Sequence, residues 1–283
     1  MKKKTWISST LLALVLVTAG CSSTSGSSTD GSSSPAASAA SGSSDIKKII
    51  VGTGTGFPKV AFLDESGKLT GYDVELVREI DKRLPEYEFE LQTMDFSNLL
   101  LSLETKKIDF VAHEMEKNPE REQKYLFNKE PYAHWRNKIV VAKDNNAIQS
   151  LDDLAGKKVL TSATSAQAQI LENYNKEHDK KIEIVYQSGT ANDVVTQITS
   201  GRVDATLAAD FTLSLIDPQS KLKTTGDSLS EADILFVFRK GDADSQKLAD
   251  AIDGAIKAIK EDGTLSRLSK EWLGDDFTQD STK

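Results

Sequence analysis

The stretch that decides the fold is Asp109-Phe-Val-Ala-His-Glu-Met-Glu-Lys-Asn-Pro-Glu-Arg-Glu-Gln-Lys-Tyr-Leu-Phe127. Its apolar start predicts a short buried strand. Asn118 and Pro119 predict a helix start, because Asn is a favoured N-cap and Pro fits the first helical position. Arg121 follows in the first helical turn, just past a strand end, where open α/β sheets bind ligands. A guanidinium grips a carboxylate through two hydrogen bonds, so Arg121 is a candidate carboxylate ligand; the alternative is a solvated surface Arg.

Strand and helix patterns alternate before this stretch. Short apolar or alternating runs near 49–51 and 87–93 predict strands. Residues 71–84 and 96–104 predict helices, since apolar residues in the first of them recur at helical spacing. With the strand that opens the decisive stretch, the order is strand–helix–strand–helix–strand, which is typical of a parallel α/β sheet.

A second series of the same kind follows. Its predicted strands lie near 138–142, 159–161, 182–186, 205–208 and 234–238. Its predicted helices lie near 166–174, where Thr164 and Ser165 precede the helix, and near 192–200, 244–260 and 263–272. Residues 103–112 and 198–207 share one order of helix end, basic residue, aliphatic residue, Asp and strand. We therefore expect two similarly wound α/β lobes.

The first twenty residues predict a secretory signal peptide, with a basic start, an apolar centre and small residues at its end. Cys21 follows directly and is the only cysteine, so an internal disulfide or a cysteine-based metal site is excluded. Small residues before a lone Cys resemble the lipobox of bacterial lipoproteins, although Thr18 stands where Leu is usual. We expect Cys21 to be lipidated; the alternative is an ordinary cleaved signal with a chance Cys.

Residues 21–45 predict a tether. Twelve of the residues in 22–44 are Ser, and such a segment buries too little apolar surface to fold. Its reach as a flexible coil is roughly 25–30 Å. Removal of residues 1–20 takes away three lysines and moves the net charge from −8 to −11. An acidic chain without a basic stripe argues against nucleic-acid binding.

Two other kinds of site are poorly supported. Residues 52–56 are glycine-rich, but their spacing and the following Pro58 do not fit a dinucleotide-binding loop. The histidines, His113, His134 and His178, show no close metal-ligand spacing.

An ordered series of motifs resembles the extracellular solute-binding proteins of amino-acid ABC importers (solute-binding protein family 3), which have the type II periplasmic-binding-protein fold. The resemblance covers about residues 47–273. The motifs are Val51-Gly52-Thr53 with Phe57-Pro58, Gly67-Lys-Leu-Thr-Gly-Tyr-Asp-Val-Glu-Leu76, Lys107-Ile-Asp109, Asn118-Pro-Glu-Arg121, Leu151-Asp-Asp-Leu-Ala-Gly-Lys157, Gly201-Arg-Val-Asp-Ala205 and the ending from Gly263 to Trp272.

The resemblance implies two lobes, each with a mostly parallel sheet, joined by two hinge crossover strands near 139–142 and 234–238. The first lobe would be discontinuous, built from 46–140 and 238–275. The second would be 141–237, and 276–283 would be a disordered tail.

The resemblance also implies the roles of several residues. Arg121 corresponds to the arginine that binds the α-carboxylate, and Phe57 and Phe96 to aromatic walls around the ligand side chain. Thr164 and Ser165 fall in the loop whose hydroxyls and amides, at a helix N-terminus, also hold the carboxylate.

This chain departs from the family pattern where the ligand's ammonium group is bound. The family's usual acid after the Val-Asp motif falls on Ala209, and the nearest acid is Asp210. We hypothesise that Glu114, together with Asp210, supplies the counter-charge. His113 is expected to be a neutral histidine bonded at a strand end, and a ligand contact is the alternative.

The implied function is capture of a free amino acid for a membrane permease driven by an ATPase. We expect a monomer, lipid-anchored on the outer face of the cell membrane, that needs no cofactor or metal. The segment from His113 to Arg121 is most similar to members handling cystine or related sulfur amino acids; glutamine or an acidic amino acid is the alternative.

Two rival functions remain open on the sequence. A few family members are dehydratases, and His113 and Glu114 adjoin and could act as base and acid. No nucleophile held by a base is evident, however, so we expect no enzyme. A surface receptor or adhesin without transport is the other rival.

Overall fold

The computed structural model describes residues 46–187 and 193–279, and every statement below concerns these residues. The predicted signal peptide (1–20), Cys21 and the tether (21–45) lie outside them. So do residues 280–283 of the predicted tail.

The described residues form thirteen strands. They are β1 (Lys47–Thr53), β2 (Gly56–Phe57), β3 (Ala61–Leu63), β4 (Leu69–Thr70), β5 (Tyr87–Thr93), β6 (Phe110–Val111), β7 (Tyr125–Phe127), β8 (Ala133–Ala142), β9 (Lys158–Ser162), β10 (Glu183–Gln187), β11 (Ala205–Ala209), β12 (Leu222–Ile234) and β13 (Val237–Arg239).

The same residues form eight α-helices and a short 3-10 helix (Asp152–Leu154). The α-helices are α1 (Tyr72–Asp81), α2 (Phe96–Glu104), α3 (Pro119–Lys124), α4 (Ala166–Glu177), α5 (Asp193–Thr199), α6 (Thr212–Ile216), α7 (Ala243–Glu261) and α8 (Thr264–Leu273). No helix of the described residues is long and apolar enough to cross a membrane.

The first large sheet has the strand order β5-β1-β6-β13-β7. Strand β13 runs antiparallel to its neighbours, and the other four strands share one direction. Because strand side chains alternate between faces, Phe110 packs with α1, α7 and α8, while Val111 packs with α2 on the other face. Both faces are covered, which explains why the strands are apolar on both sides.

The second large sheet repeats this plan in the order β10-β9-β11-β8-β12. Here β8 is the antiparallel strand. Helix α4 covers the face that carries Ile139 and Val141, and α5 covers the face that carries Val140. Strands β6 and β11, which end the two echoing sequences, occupy the same position in their sheets, so the predicted likeness of the two lobes is present in the topology.

The chain passes from the first sheet to the second between β7 and β8 and returns between β12 and β13. The two passages are joined, since the Tyr132 N–H donates to the Ile234 carbonyl at 3.0 Å. The sequence analysis predicted the first passage near residues 139–142, and in the structure it lies upstream of them. Those residues are inside β8, held by pairing to β11 and β12. The lobe boundaries of 46–140, 141–237 and 238–275 stay a prediction.

The prediction of a disordered tail is wrong for residues 276–279. The Phe277 ring lies 5.5 Å from that of Phe211, and its carbonyl accepts the N–H of His134 at 2.8 Å. Thr278 is buried. This aromatic contact holds the chain end against the second sheet, and polar neighbours in the sequence concealed it.

Gly71 precedes α1 in a backbone conformation that only glycine adopts readily (φ 121°, ψ 175°). A Cβ there would lie 2.4 Å from the Val60 carbonyl oxygen. Gly67 also has a positive φ, of 81°, but a Cβ there meets nothing within 4 Å.

We therefore expect Gly71→Ala to lower the free energy of unfolding by about 3 kcal/mol, through backbone strain and a clash. Gly67→Ala should cost only about 1 kcal/mol. Urea unfolding of both variants measures the difference. Equal losses would show that the approach to Val60 does not constrain the start of α1.

Candidate functional site

A cavity of about 350 Å³ lies at the carboxyl ends of strands from both large sheets. This is where an open α/β sheet places a ligand. Six of the eight predicted ligand-binding residues line it, namely Phe57, Phe96, His113, Glu114, Arg121 and Ser165. Thr164 reaches the site through its carbonyl group, and Asp210 does not line the cavity.

Arg121 is held in the cavity wall with 6% of its surface exposed. The Asn118 side chain accepts its backbone N–H at 2.9 Å, which confirms the predicted N-cap of α3. Nη1 donates to the Glu116 carbonyl at 2.7 Å, and Nη2 donates to the Thr164 carbonyl at 2.8 Å. Burial lowers the pKa of this guanidinium, and the charge of Glu116 opposes the shift. Arg121 is thus a buried cation that is fixed between the two sheets and lines the cavity.

Glu116 forms a second link between the sheets. Its carboxylate accepts hydrogen bonds from Asn137 Nδ2 and Gln167 Nε2, both at 2.8 Å. Gln167 also donates to Asn137 Oδ1 at 2.6 Å. Burial raises the pKa of Glu116, and these donors and Arg121 counter the rise. Glu116 follows β6, while its partners lie on β8 and α4, so this carboxylate ties the first sheet to the second.

Glu114 is a half-buried acid that lines the cavity. Its backbone adopts a left-handed conformation (φ 50°), and its N–H donates to Asp73 Oδ2 at 2.6 Å. The carboxyl atom Oε1 is buried and has no hydrogen-bond partner among the described residues. Burial, reinforced by the charges of Asp73 and Glu116, raises the pKa of Glu114 well above its ordinary value. A carboxyl in this state takes on its charge readily once a cation is placed beside it.

His113 is a neutral histidine bonded at a strand end, as expected. Burial lowers its pKa to about 4. The Gly54 N–H donates to Nδ1 at 3.2 Å, so Nδ1 accepts and Nε2 carries the proton. A Cβ on Gly54 would lie 2.8 Å from the ring, which explains glycine at that position.

Aromatic rings form two sides of the cavity. Phe57 stacks on Phe211 at 6.1 Å, and Phe211 contacts Trp135 at 4.9 Å. On another side, the Phe96 ring lies 5.6 Å from the ring of His113. Phe57 and Phe96 thus both line the cavity, and their contact with a ligand side chain stays a prediction.

Helix α4 begins at the cavity. Ser165 is its N-cap, and its hydroxyl accepts the Ala168 N–H at 2.9 Å and lies 3.2 Å from the Thr161 hydroxyl. Thr164, with a positive φ of 66°, makes the turn into the helix. The free amides and the dipole of a helix N-terminus favour an anion, and Arg121 is already bonded to this turn.

Asp210 lines a different cavity, beside Arg136, His134 and Phe277. Its N–H donates to the Arg136 carbonyl at 3.0 Å. The structure therefore brings Glu114 to the predicted site and leaves Asp210 outside it.

The sequence reasoning missed Glu116, Trp135 and Gln167 in the cavity wall. Glu116 lies in the quoted stretch, but only its distant partners distinguish it from a solvated acid. Trp135 and Gln167 carried no motif. No group of three or more His, Cys, Asp or Glu side chains in 46–187 and 193–279 is placed to hold a metal ion. The lining offers one cation, Arg121, together with the acids Asp95, Glu114 and Glu116 and aromatic walls, which suits an amino-acid zwitterion.

Comparison with known proteins gives consistent matches. The model of the bacterial extracellular solute-binding proteins, family 3, matches residues 49–275. The L-cystine-binding protein TcyK of Bacillus subtilis (strain 168) is 46% identical over 282 residues, covering 99% of each chain. TcyJ, an L-cystine-binding protein of the same organism, is 49% identical over 82% of this chain and 86% of its own.

A solved structure described as a putative L-cystine ABC transporter from Listeria monocytogenes has a TM-score of 0.78 to this chain. It is 49% identical, and the match covers 83% of this chain and 99% of that one. This likeness confirms the predicted two-lobed α/β fold.

The neutral state of His113 predicts a dependence of stability on pH. The unfolded chain takes up a proton at this histidine near its ordinary pKa of 6.5, while the folded chain does so only near 4. Stability is therefore lost as the pH falls through that window, by up to roughly 3 kcal/mol. Urea unfolding across this pH range should show the stability of the wild type relative to His113→Gln falling by this amount, since the buried carboxyls titrate in both proteins. Parallel pH profiles would contradict a buried neutral His113.

Proposed function

The chain belongs to the bacterial extracellular solute-binding proteins, family 3, and we propose that it is the amino-acid-binding component of an ABC importer, with L-cystine as its ligand. The observation that carries this proposal is the buried Arg121 guanidinium, fixed at the cavity between a strand end and a helix N-terminus. The names of two relatives at 46% and 49% identity support the choice of L-cystine.

In this proposal the ligand's carboxylate binds at Arg121. The two carbonyl contacts use two of the five guanidinium N–H groups and fix the plane of the others. The start of α4, a twelve-residue helix, adds the amide N–H group of Ala166, while the Ser165 N–H donates to the Ser162 carbonyl. Thr164 then acts through its carbonyl, by orienting Arg121.

The ligand's ammonium binds at Glu114. Its Oε1 has no hydrogen-bond partner within 46–187 and 193–279, and an ammonium supplies both the hydrogen bond and the opposite charge that this buried atom lacks. Of the two acids predicted for this role, Asp210 lines another cavity, so Glu114 is the one proposed.

The side chain of the ligand lies between aromatic groups, with Phe57 on one side and Phe96 on the other. The Nε2–H of His113, whose other nitrogen is occupied by Gly54, is a donor for a second polar end of the ligand. L-cystine has two amino-acid ends joined by an apolar disulfide link, so it requires such a mixture of polar and aromatic walls. A cavity of about 350 Å³ is within the usual range for small-molecule sites.

Ligand capture is coupled to closure of the two lobes. Arg121–Thr164 and Glu116–Gln167 join the sheets directly, and a ligand bonded to Glu114 and to the start of α4 adds contacts of the same kind. Contacts made only when the lobes are together shift the equilibrium toward the closed state.

We infer that the chain is exported and held on the outer face of the membrane through a lipid on Cys21, with residues 22–45 as the tether. The family is extracellular, and the sequence pattern before Cys21 supports the anchor. The partners are then a membrane permease and its ATPase, and the chain acts as a monomer.

No catalytic role is proposed. The relatives are solute-binding proteins. The Nδ1 of His113 accepts the Gly54 N–H and lies 3.3 Å from the Thr53 hydroxyl, so this nitrogen holds the strand end in place.

A thermal-shift screen against L-cystine and the common amino acids tests the function. A ligand at about a hundred times its Kd adds roughly 2.7 kcal/mol of stability, enough to raise Tm by a few degrees. We expect a shift with L-cystine. Arg121→Ala should weaken binding by about 3 kcal/mol or more, on the order of a hundredfold. The matched control is Arg267→Ala, an exposed Arg on α8, which should bind as the wild type does. No shift with any amino acid would contradict the proposal.

Glu114→Gln tests the ammonium site. The variant keeps the shape of the side chain but loses the charge, so L-cystine affinity should fall by roughly ten- to a hundredfold, or about 1.5–3 kcal/mol. Titration calorimetry measures the change. Asp210→Asn is the matched control, and it should leave Kd unchanged. Wild-type affinity in Glu114→Gln would remove Glu114 from the site.

A further inference from the structure

Asp73 is a completely buried acid directly beneath the candidate site. It lies in the first turn of α1, just after Gly71, and has no exposed surface. Its Oδ2 accepts the Glu114 N–H at 2.6 Å and the Tyr132 hydroxyl at 3.2 Å. Its Oδ1 is buried without a hydrogen-bond partner among the described residues. Burial of a carboxyl with an unpaired oxygen lowers the free energy of unfolding, unless its bonds to neighbouring groups compensate.

The hydrogen bond to Glu114 has a geometric consequence. Glu114 adopts a left-handed backbone (φ 50°), which is unfavourable for a residue with a long side chain. The Asp73 carboxylate holds the amide of that residue and so stabilises the turn. Gly71 in turn fixes where Asp73 enters α1. The direction of the Glu114 side chain therefore depends on a residue 41 positions earlier.

The two carboxyls also act on each other. Two acids face Glu114: Asp73 on α1, and Glu116, which lies two residues after Glu114. The Tyr132 hydroxyl, directly before β8, faces Asp73. Neighbouring His113 is neutral, and the Arg121 guanidinium is bonded to the Glu116 carbonyl. Burial raises the pKa of Asp73 to about 7, and burial together with Asp73 raises that of Glu114. Asp73 and Glu114 are linked through the Glu114 N–H, and two neighbouring acids of this kind do not both ionise readily.

We propose that Asp73 is the positioning residue for Glu114, and that Glu114 keeps a proton until the ligand's ammonium displaces it. This rests on the proposed function, in which Glu114 receives that ammonium. The ammonium arrives with its own protons, Glu114 becomes a carboxylate, and the released proton goes to the solvent. Amino-acid capture is thereby linked to pH: affinity falls as the pH drops and the pair becomes harder to ionise.

The first test needs no ligand. In the full chain, kept soluble in mild detergent, NMR titration of ¹³C-labelled Glu carboxyls should show one group titrating well above the ordinary Glu range. Its signal should be missing in Glu114→Gln. Asp73→Asn keeps an oxygen to accept the Glu114 N–H but removes the charge, so this titration should move down by about one pH unit or more. An unchanged midpoint in Asp73→Asn would overturn the proposal, because it would show that the charge of Asp73 does not affect the pKa of Glu114.

The second test measures proton release. Titration calorimetry with L-cystine near neutral pH, in two buffers of different ionisation enthalpy, should give release of up to about one proton per ligand. The release should be absent in Glu114→Gln and smaller in Asp73→Asn. Asp253→Asn is the matched control: this buried carboxylate on α7 binds the amides of Lys129 and Glu130, away from the cavity, and its variant should release protons as the wild type does.

Different results would contradict the inference about Asp73 and the proposed function. Binding of L-cystine without proton release overturns the inference and leaves the proposed function standing. Failure of any amino acid to bind overturns the proposed function, and the NMR midpoint in Asp73→Asn then decides alone whether Asp73 governs Glu114.

Discussion

The Arg121 guanidinium is a buried cation, and the structure around the cavity depends on how it is held. Removing such a charge from water is expensive unless hydrogen bonds replace the lost solvent. Here the Glu116 carbonyl of one sheet and the Thr164 carbonyl beside the other supply those bonds. The cap of α3 by Asn118 sets where the side chain starts. One arginine therefore fixes the loop after β6, the start of α4 and the distance between them.

The acids on the other side of the cavity complement this cation. Asp73 is buried, Glu114 is half-buried with its Oε1 atom enclosed, and burial raises the pKa of both carboxyls. A ligand that brings a carboxylate to Arg121 and an ammonium to Glu114 satisfies both ends at once. The same chemistry explains why an amino acid suits the site better than a simple anion or a simple cation. The mixed environment is built entirely from strand ends and helix starts, so the rigid parts of the fold hold the site in place.

Local patterns predicted a large part of this arrangement. Helix α2 was predicted from 96 to 104 and spans Phe96–Glu104, and the cap at Asn118 placed Arg121 correctly. The repeated helix–Asp–strand sequence predicted two sheets of one topology. Contacts between distant residues were not predictable, since nothing near Glu116 in the sequence points to Asn137 and Gln167. The link from Asp73 to Glu114 is of the same kind, because Asp73 looks like any acid in a first helical turn. The packing of Phe277 was not predictable either, because its neighbours in the sequence are polar and its partner Phe211 is distant.

In the proposed function, Arg121 and Glu114 bind the two charged ends of one amino acid. A crystal structure of the protein with L-cystine tests it most directly. The account predicts a ligand carboxylate paired with the Arg121 guanidinium at the start of α4, and the α-ammonium of the same end within hydrogen-bonding distance of the Glu114 carboxylate. A ligand bound elsewhere, or bound here with its carboxylate on other groups and Arg121 still bonded only to protein carbonyls, would contradict the account.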